Sequence, residues 1–134
     1  MPMLKLFYHF VWSTKERLPL IEEKLVGLIY NTIVGRSAKL GGYVHEIGGM
    51  EDHVHVIATL PPTIMVSDYI GQIKGASSYV AAQELNGEGY FAWQAEYGAM
   101  SVSESHLEFA IRYVRNQREH HSMKSIHPKM ELGD

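Results

Sequence analysis

An α+β sandwich with an antiparallel sheet is the fold class this sequence predicts, and three observations predict it. Short segments rich in β-branched and aromatic residues alternate with two longer segments whose apolar residues recur at helical spacing. Their order reads β-α-β-β-α-β, with one further helix at the end, which is a ferredoxin-like layout. No repeat, low-complexity tract or Pro/Ser-rich linker interrupts the 134 residues, so a single domain is expected.

The first strand is expected over Leu4–Thr14 (LKLFYHFVWST). Pro19 precedes a helical stretch, Ile21–Leu40, with Leu25, Leu28, Ile29 and Ile33 on one side, and Gly41-Gly42 stops it. Two strands follow, Tyr43–Gly48 and His53–Leu60, joined by the loop Gly48–Asp52. After Pro61-Pro62, a helix from about Val66 to Leu85 presents Tyr69, Ile70, Ile73, Ala76 and Val80 as its apolar face. Asn86–Gly89 reads as a turn and Tyr90–Met100 as a fourth strand. The last helix is expected to start with Ser101 and Glu104 spaced as a capping box and to run to about His121, leaving a short polar tail.

Composition narrows the function. There is no cysteine, which excludes thiol catalysis, disulfides and Cys-based zinc sites. Hydrophobic content of 46% supports a real core. Met1–Thr14 is too short and too interrupted by Lys5 and His9 to span a bilayer, and it lacks the pattern of a cleaved leader, so a soluble cytoplasmic protein is expected. The net charge of −3 argues against a broad basic groove for nucleic acid. The cations gather locally, at Lys15 and Arg17 and along Arg112, Arg115 and Arg118, with Lys74 alone between Lys39 and Arg112.

His53-Val54-His55 carries the most information. Side chains alternate along a strand, so the two imidazoles point to one face and Val54 to the other. Such a pair is either half of a metal site or two half-exposed histidines on a sheet face. Asp52 is either a partner orienting one imidazole or a turn residue. On the terminal helix, Leu107, Ala110, Ile111 and Val114 form the apolar stripe, while Tyr113 and Gln117 lie one turn apart on an adjacent polar flank shared with His106 and His120. A hydroxyl and an amide there reach the same small volume; the plainer reading of Tyr113 is a half-buried aromatic. Taken together, a metal that neutralises phosphate charge and a tyrosine nucleophile are the parts needed to break and rejoin a phosphodiester without an external energy source.

Five stretches resemble the IS200/IS605-type single-tyrosine transposases, a branch of the HUH endonucleases. They are Tyr8–Lys15, Glu51–Val56, Gln72–Ser78, Phe91–Ser103 and Ile111–Gln117, in this order, so the resemblance spans about Leu4 to His121. It implies His53 and His55 as ligands of Mg²⁺ or Mn²⁺, Gln117 as the third ligand through its amide oxygen, and Tyr113 as the nucleophile. It also implies single-stranded DNA with hairpin-marked ends as substrate, a 5′-phosphotyrosine intermediate, and a homodimer with composite active sites. Lys15, Arg17, Lys74, Arg112 and Arg115 are candidate phosphate contacts, and Phe91, Trp93 and Tyr97 candidate base-stacking residues. Two further readings are a domesticated relative that binds hairpin DNA without transposing, and an RNA-binding module of the same layout, for which the expected RNA-contacting signature is missing.

Overall fold

The computed structural model describes residues 5–117. The elements follow the expected order: β1 (Phe7–Ser13), α1 (Glu23–Lys39), β2 (Tyr43–Met50), β3 (His53–Thr59), α2 (Val66–Leu85), β4 (Gly98–Val102) and α3 (Leu107–Arg115). The strands form one antiparallel sheet in the order β2-β3-β1-β4. This is the ferredoxin-like arrangement, with β1 and β3 protected in the centre.

Alternation along the strands gives the sheet two unlike faces. Phe10 and Trp12 of β1 and Val54, Val56 and Ala58 of β3 face α1 and α2, where they meet Leu25, Ile29, Ile33, Tyr69, Ile70 and Ile73 in the main core. The opposite face is smaller. There Ile57 packs with Ala110, Tyr113 and Val114 of α3. Within the main core, the Tyr69 hydroxyl lies 2.6 Å from the Ser37 hydroxyl, so the polar end of the largest buried α2 side chain is satisfied.

Several expectations need correction. The Gly48–Asp52 loop is largely strand: β2 runs to Met50, and only Glu51 and Asp52 form the turn. The fourth strand is confined to Gly98–Val102, because residues 90–97 instead cross the end of β1, where Trp93 bridges Thr14 and Gln94 N–H donates to the Ser13 carbonyl. The capping box does not form: Ser101 lies inside β4, and a short 3-10 turn over Glu104–His106 leads into α3 without a side-chain cap. Helix α3 covers Leu107–Arg115 with Asn116 as its C-cap, Gln117 is again helical, and the expected end near His121 lies outside the described residues. Arg118, His120 and the polar tail lie outside the described residues.

Candidate active site

His53 and His55 begin β3, and both point to the α3 face as the alternation requires. Both are buried rather than half-exposed, at 2% and 0%. Buried imidazoles are tolerated only when their nitrogens find partners, and close polar contacts surround these two rings. His53 Nδ1 lies 2.7 Å from Asp52 Oδ1, and its Nε2 lies 3.1 Å from Gln117 Oε1. His55 Nδ1 lies 2.8 Å from Nε2 of His9, itself buried on β1.

Asp52 is fixed from both sides. Its backbone carbonyl accepts from the Thr14 N–H at 2.9 Å, and its carboxylate meets the Arg17 guanidinium at 3.5 Å. The hydrogen bond from His53 holds its carboxyl below the ordinary range, against the opposing effect of burial, and Arg17 adds to the lowering. Arg17 reaches this position from a turn in which Glu16 and Arg17 both take left-handed backbone conformations, φ 55° and 54°. For non-glycine residues that costs on the order of 1 kcal/mol each.

Helix α3 brings the other half. A Cβ at Gly48, which pairs with His55 across the hairpin, would collide with the Val114 carbonyl, so glycine there lets the α3 backbone lie directly on β2. The salt bridge between Arg115 and Glu46, at 3.0 Å, ties the same helix to the same strand. Tyr113 consequently sits edge-on to His55 with ring centroids 6.0 Å apart, and Gln117, just past the C-cap, reaches His53. Neither lies on a polar flank: Tyr113 is 3% exposed and Gln117 1%. His106, predicted to share their side, is exposed and bonded to Ser103.

Both ring nitrogens of His53 face acceptor oxygens, the Asp52 carboxylate at Nδ1 and the Gln117 amide oxygen at Nε2, and a cation held between Nε2 and Oε1 would take the place of the proton there. Among the described residues, no group of three His, Cys, Asp or Glu is arranged to hold a metal. A set built here would join the Gln117 amide oxygen to the imidazoles of His53 and His55, and that donor chemistry suits a divalent cation.

The remaining candidates divide. Arg17 joins the site through Asp52, with exposed Lys15 nearby in sequence. Lys74 does not present its charge outward: its ammonium donates to the Gln94 carbonyl at 2.6 Å, approaches those of Ala95 and Glu96, and its pKa is lowered by burial. Arg112 is exposed on α3, while Arg115 is engaged by Glu46. Phe91 and Trp93 belong to the core layer, Trp93 standing edge-on to Trp12 with its indole N–H donating to Ser77 at 2.9 Å; Tyr97 packs against the same cluster. Sequence reasoning missed His9 and Gly48. Their odd and even places on β1 and β2 carry no signal until the strand register is known.

The architecture is that of transposases of known structure. A crystal structure assigned as a transposase from Deinococcus radiodurans R1 superposes with a TM-score of 0.71 at 22% identity, covering 87% of this chain and 93% of that one. A REP-associated tyrosine transposase bound to a REP hairpin superposes with a TM-score of 0.69 at 12% identity, over 100% of this chain and 93% of the other. In sequence, the chain is 26% identical over 120 residues to the ISDra2 transposase TnpA of Deinococcus radiodurans, with 86% of each covered. Residues 3–117 match the family model described as "Transposase IS200 like", and the chain belongs to that family of DNA transposases.

Proposed function

We propose that this transposase cuts and rejoins single-stranded DNA through a covalent link to Tyr113, aided by Mg²⁺ or Mn²⁺ held by His53, His55 and Gln117. The observation that carries the reading is the buried convergence of His53 Nε2 and Gln117 Oε1, 3.1 Å apart, with Tyr113 one helical turn before Gln117 and packed against His55. When bound, the ion supplies positive charge to the non-bridging oxygens of the phosphate undergoing displacement.

The chain's own residues do the rest. Tyr113 Oη forms the new bond to phosphorus as the bond to the 3′-oxygen breaks; the phenol loses its proton and the departing 3′-oxygen gains one. The product is a 5′-phosphotyrosine and a free 3′-hydroxyl, and the reverse displacement by a 3′-hydroxyl rejoins the strand. Asp52 orients His53, and Arg17, tethered to Asp52, offers a cation beside the site for a neighbouring phosphate. Lys15, two residues from Arg17, and Arg112, next to Tyr113, are exposed cations that could extend that contact. Hairpin-bearing element ends are the proposed substrate, in keeping with the hairpin bound by the structurally similar REP-associated enzyme. A homodimer is proposed as the working form. Among the described residues, no helix is long and apolar enough to cross a membrane.

The test is covalent trapping: labelled hairpin oligonucleotides, including the gene's own flanks, are mixed with protein and Mn²⁺ and run on a denaturing gel. A shifted band that requires metal and vanishes in Tyr113→Phe is expected. A covalent band that persists in Tyr113→Phe removes the nucleophile assignment. Binding without any band assigns the chain to hairpin recognition without strand transfer.

A further inference from the structure

The His9–His55 contact is not accounted for by the strand-transfer chemistry, although both side chains are buried, at 1% and 0%. The nitrogens involved are His9 Nε2 and His55 Nδ1, 2.8 Å apart, with ring centroids separated by 5.0 Å. A hydrogen bond between two imidazole nitrogens holds one proton, so one ring donates and the other accepts. If His9 donated, the proton of neutral His55 would sit on Nε2 and that nitrogen would have no lone pair for a cation. If His55 donates from Nδ1, its Nε2 keeps the lone pair that a cation ligand needs.

We infer that His9 is a positioning residue: its Nε2 accepts the Nδ1–H of His55 and thereby fixes His55 in the tautomer that ligates through Nε2. The inference rests on the metal reading proposed above and deepens it. The two ligand histidines are then oriented by different means. His53 is held by the Asp52 carboxylate from the next residue in the chain, and His55 by an imidazole from the neighbouring strand. The neutral acceptor suits its place. His55 is fully enclosed beside Tyr113 of α3, where a carboxylate, unlike the partly exposed Asp52, would carry an uncompensated desolvation cost. Its position follows from the antiparallel register, which pairs Val11 with His55 and His9 with Ile57, so His9 and His55 are diagonal neighbours on one face.

The direct measurement needs no variant of His9. Long-range ¹H–¹⁵N spectra of the metal-free protein, with His55 assigned through a His55→Asn sample, report which ring nitrogen carries the proton. Nδ1–H on His55 is expected, and an Nε2–H tautomer overturns the inference. The second measurement titrates Mn²⁺ without DNA, following free ion by electron paramagnetic resonance, in wild type, His53→Ala, His9→Leu and His9→Gln. His9→Leu is expected to bind about 10–100-fold more weakly, the usual range when an outer partner of a ligating histidine is lost. His9→Gln, whose amide oxygen stands as many bonds from Cβ as the imidazole Nε2, is expected to restore most of the affinity. Wild-type affinity in a folded His9→Leu overturns the role of His9. Equal Mn²⁺ binding by wild type and His53→Ala overturns the metal reading itself, so the two failures are distinguishable. If His9→Leu does not fold, the wild-type tautomer decides.

Discussion

The two faces of the central sheet are made from the same strands and do opposite work. Toward α1 and α2, Phe10, Trp12, Val54, Val56 and Ala58 join an apolar core of sixteen buried residues among those described, in which the polar groups, such as the Ser37 and Tyr69 hydroxyls, are few. Toward α3, the buried apolar cluster has four residues, and beside it lie His9, His53, His55 and Gln117. Burying that many polar groups is costly even when they are bonded to one another. The large face offsets the cost, so the small one is free to be shaped by chemistry. On the proposed function, stability and chemistry would be carried by alternate residues of the same strands, and mutation should separate them.

The largest effect should come from the apolar face. Leu25→Ala removes a fully buried α1 side chain and is expected to lower unfolding free energy by about 2–5 kcal/mol in denaturant titration. Mn²⁺ affinity per folded molecule should be unchanged; a loss there would show that the two faces are not separable. Gly48→Ala attacks the small face. Its methyl would meet the Val114 carbonyl, so α3 has to lift from β2, at a cost of about 1–3 kcal/mol in stability. Because α3 carries Tyr113 and Gln117, covalent adduct formation should fall far more than this stability change implies. Adduct formation at the wild-type rate would show that α3 docking is not what assembles the site.

Gln117→Ala sharpens the comparison further, since it takes one donor without disturbing the apolar contacts. It should raise the Mn²⁺ concentration needed for cleavage by about tenfold, the lower end of the usual cost of losing metal-site support. An unchanged metal titration removes Gln117 from the ligand set. The smallest effect concerns the far end of the same face. His45, at the β2 bulge, sits between Tyr43 and Phe7 and bonds the Thr59 hydroxyl at 2.7 Å, and burial lowers its pKa. Below pH 6.5 the unfolded chain takes up a proton that the folded protein resists, so stability falls as pH drops through that window and is flat above it. His45→Gln should flatten the melting temperature against pH between 7.5 and 5 without altering Mn²⁺ binding. A slope equal to wild type would assign the acid sensitivity elsewhere.

Much of the site was legible before the fold. The single valine between His53 and His55 places both imidazoles on one side of any strand, and the four-residue spacing of Tyr113 and Gln117 brings them within a turn of each other. The helix α2 boundaries, Val66 and Leu85, follow from Pro61-Pro62 before it and Asn86-Gly87 after it, Asn86 taking the left-handed conformation of a C-cap. Burial was not legible. Tyr113 looked like a residue of the polar flank because the apolar stripe through Leu107 and Ile111 defined the helix face, yet those two are only partly buried and Tyr113 is covered. Lys74 looked like a phosphate contact because nothing local shows that the carbonyls of residues 94–96 converge on it.

By itself, then, the sequence determined the order of elements, the division of each central strand into two faces, and the pairing of histidines and of tyrosine with glutamine. These depend on periods of 2 and 3.6 residues, which are properties of the local backbone. The tertiary structure alone decided that His9 meets His55, that Gly48 admits α3, that Asp52 is shared between His53 and Arg17, and that Gln117 faces His53. Each depends on strand register or on how closely two backbones approach, and both are set by packing between residues far apart in the chain.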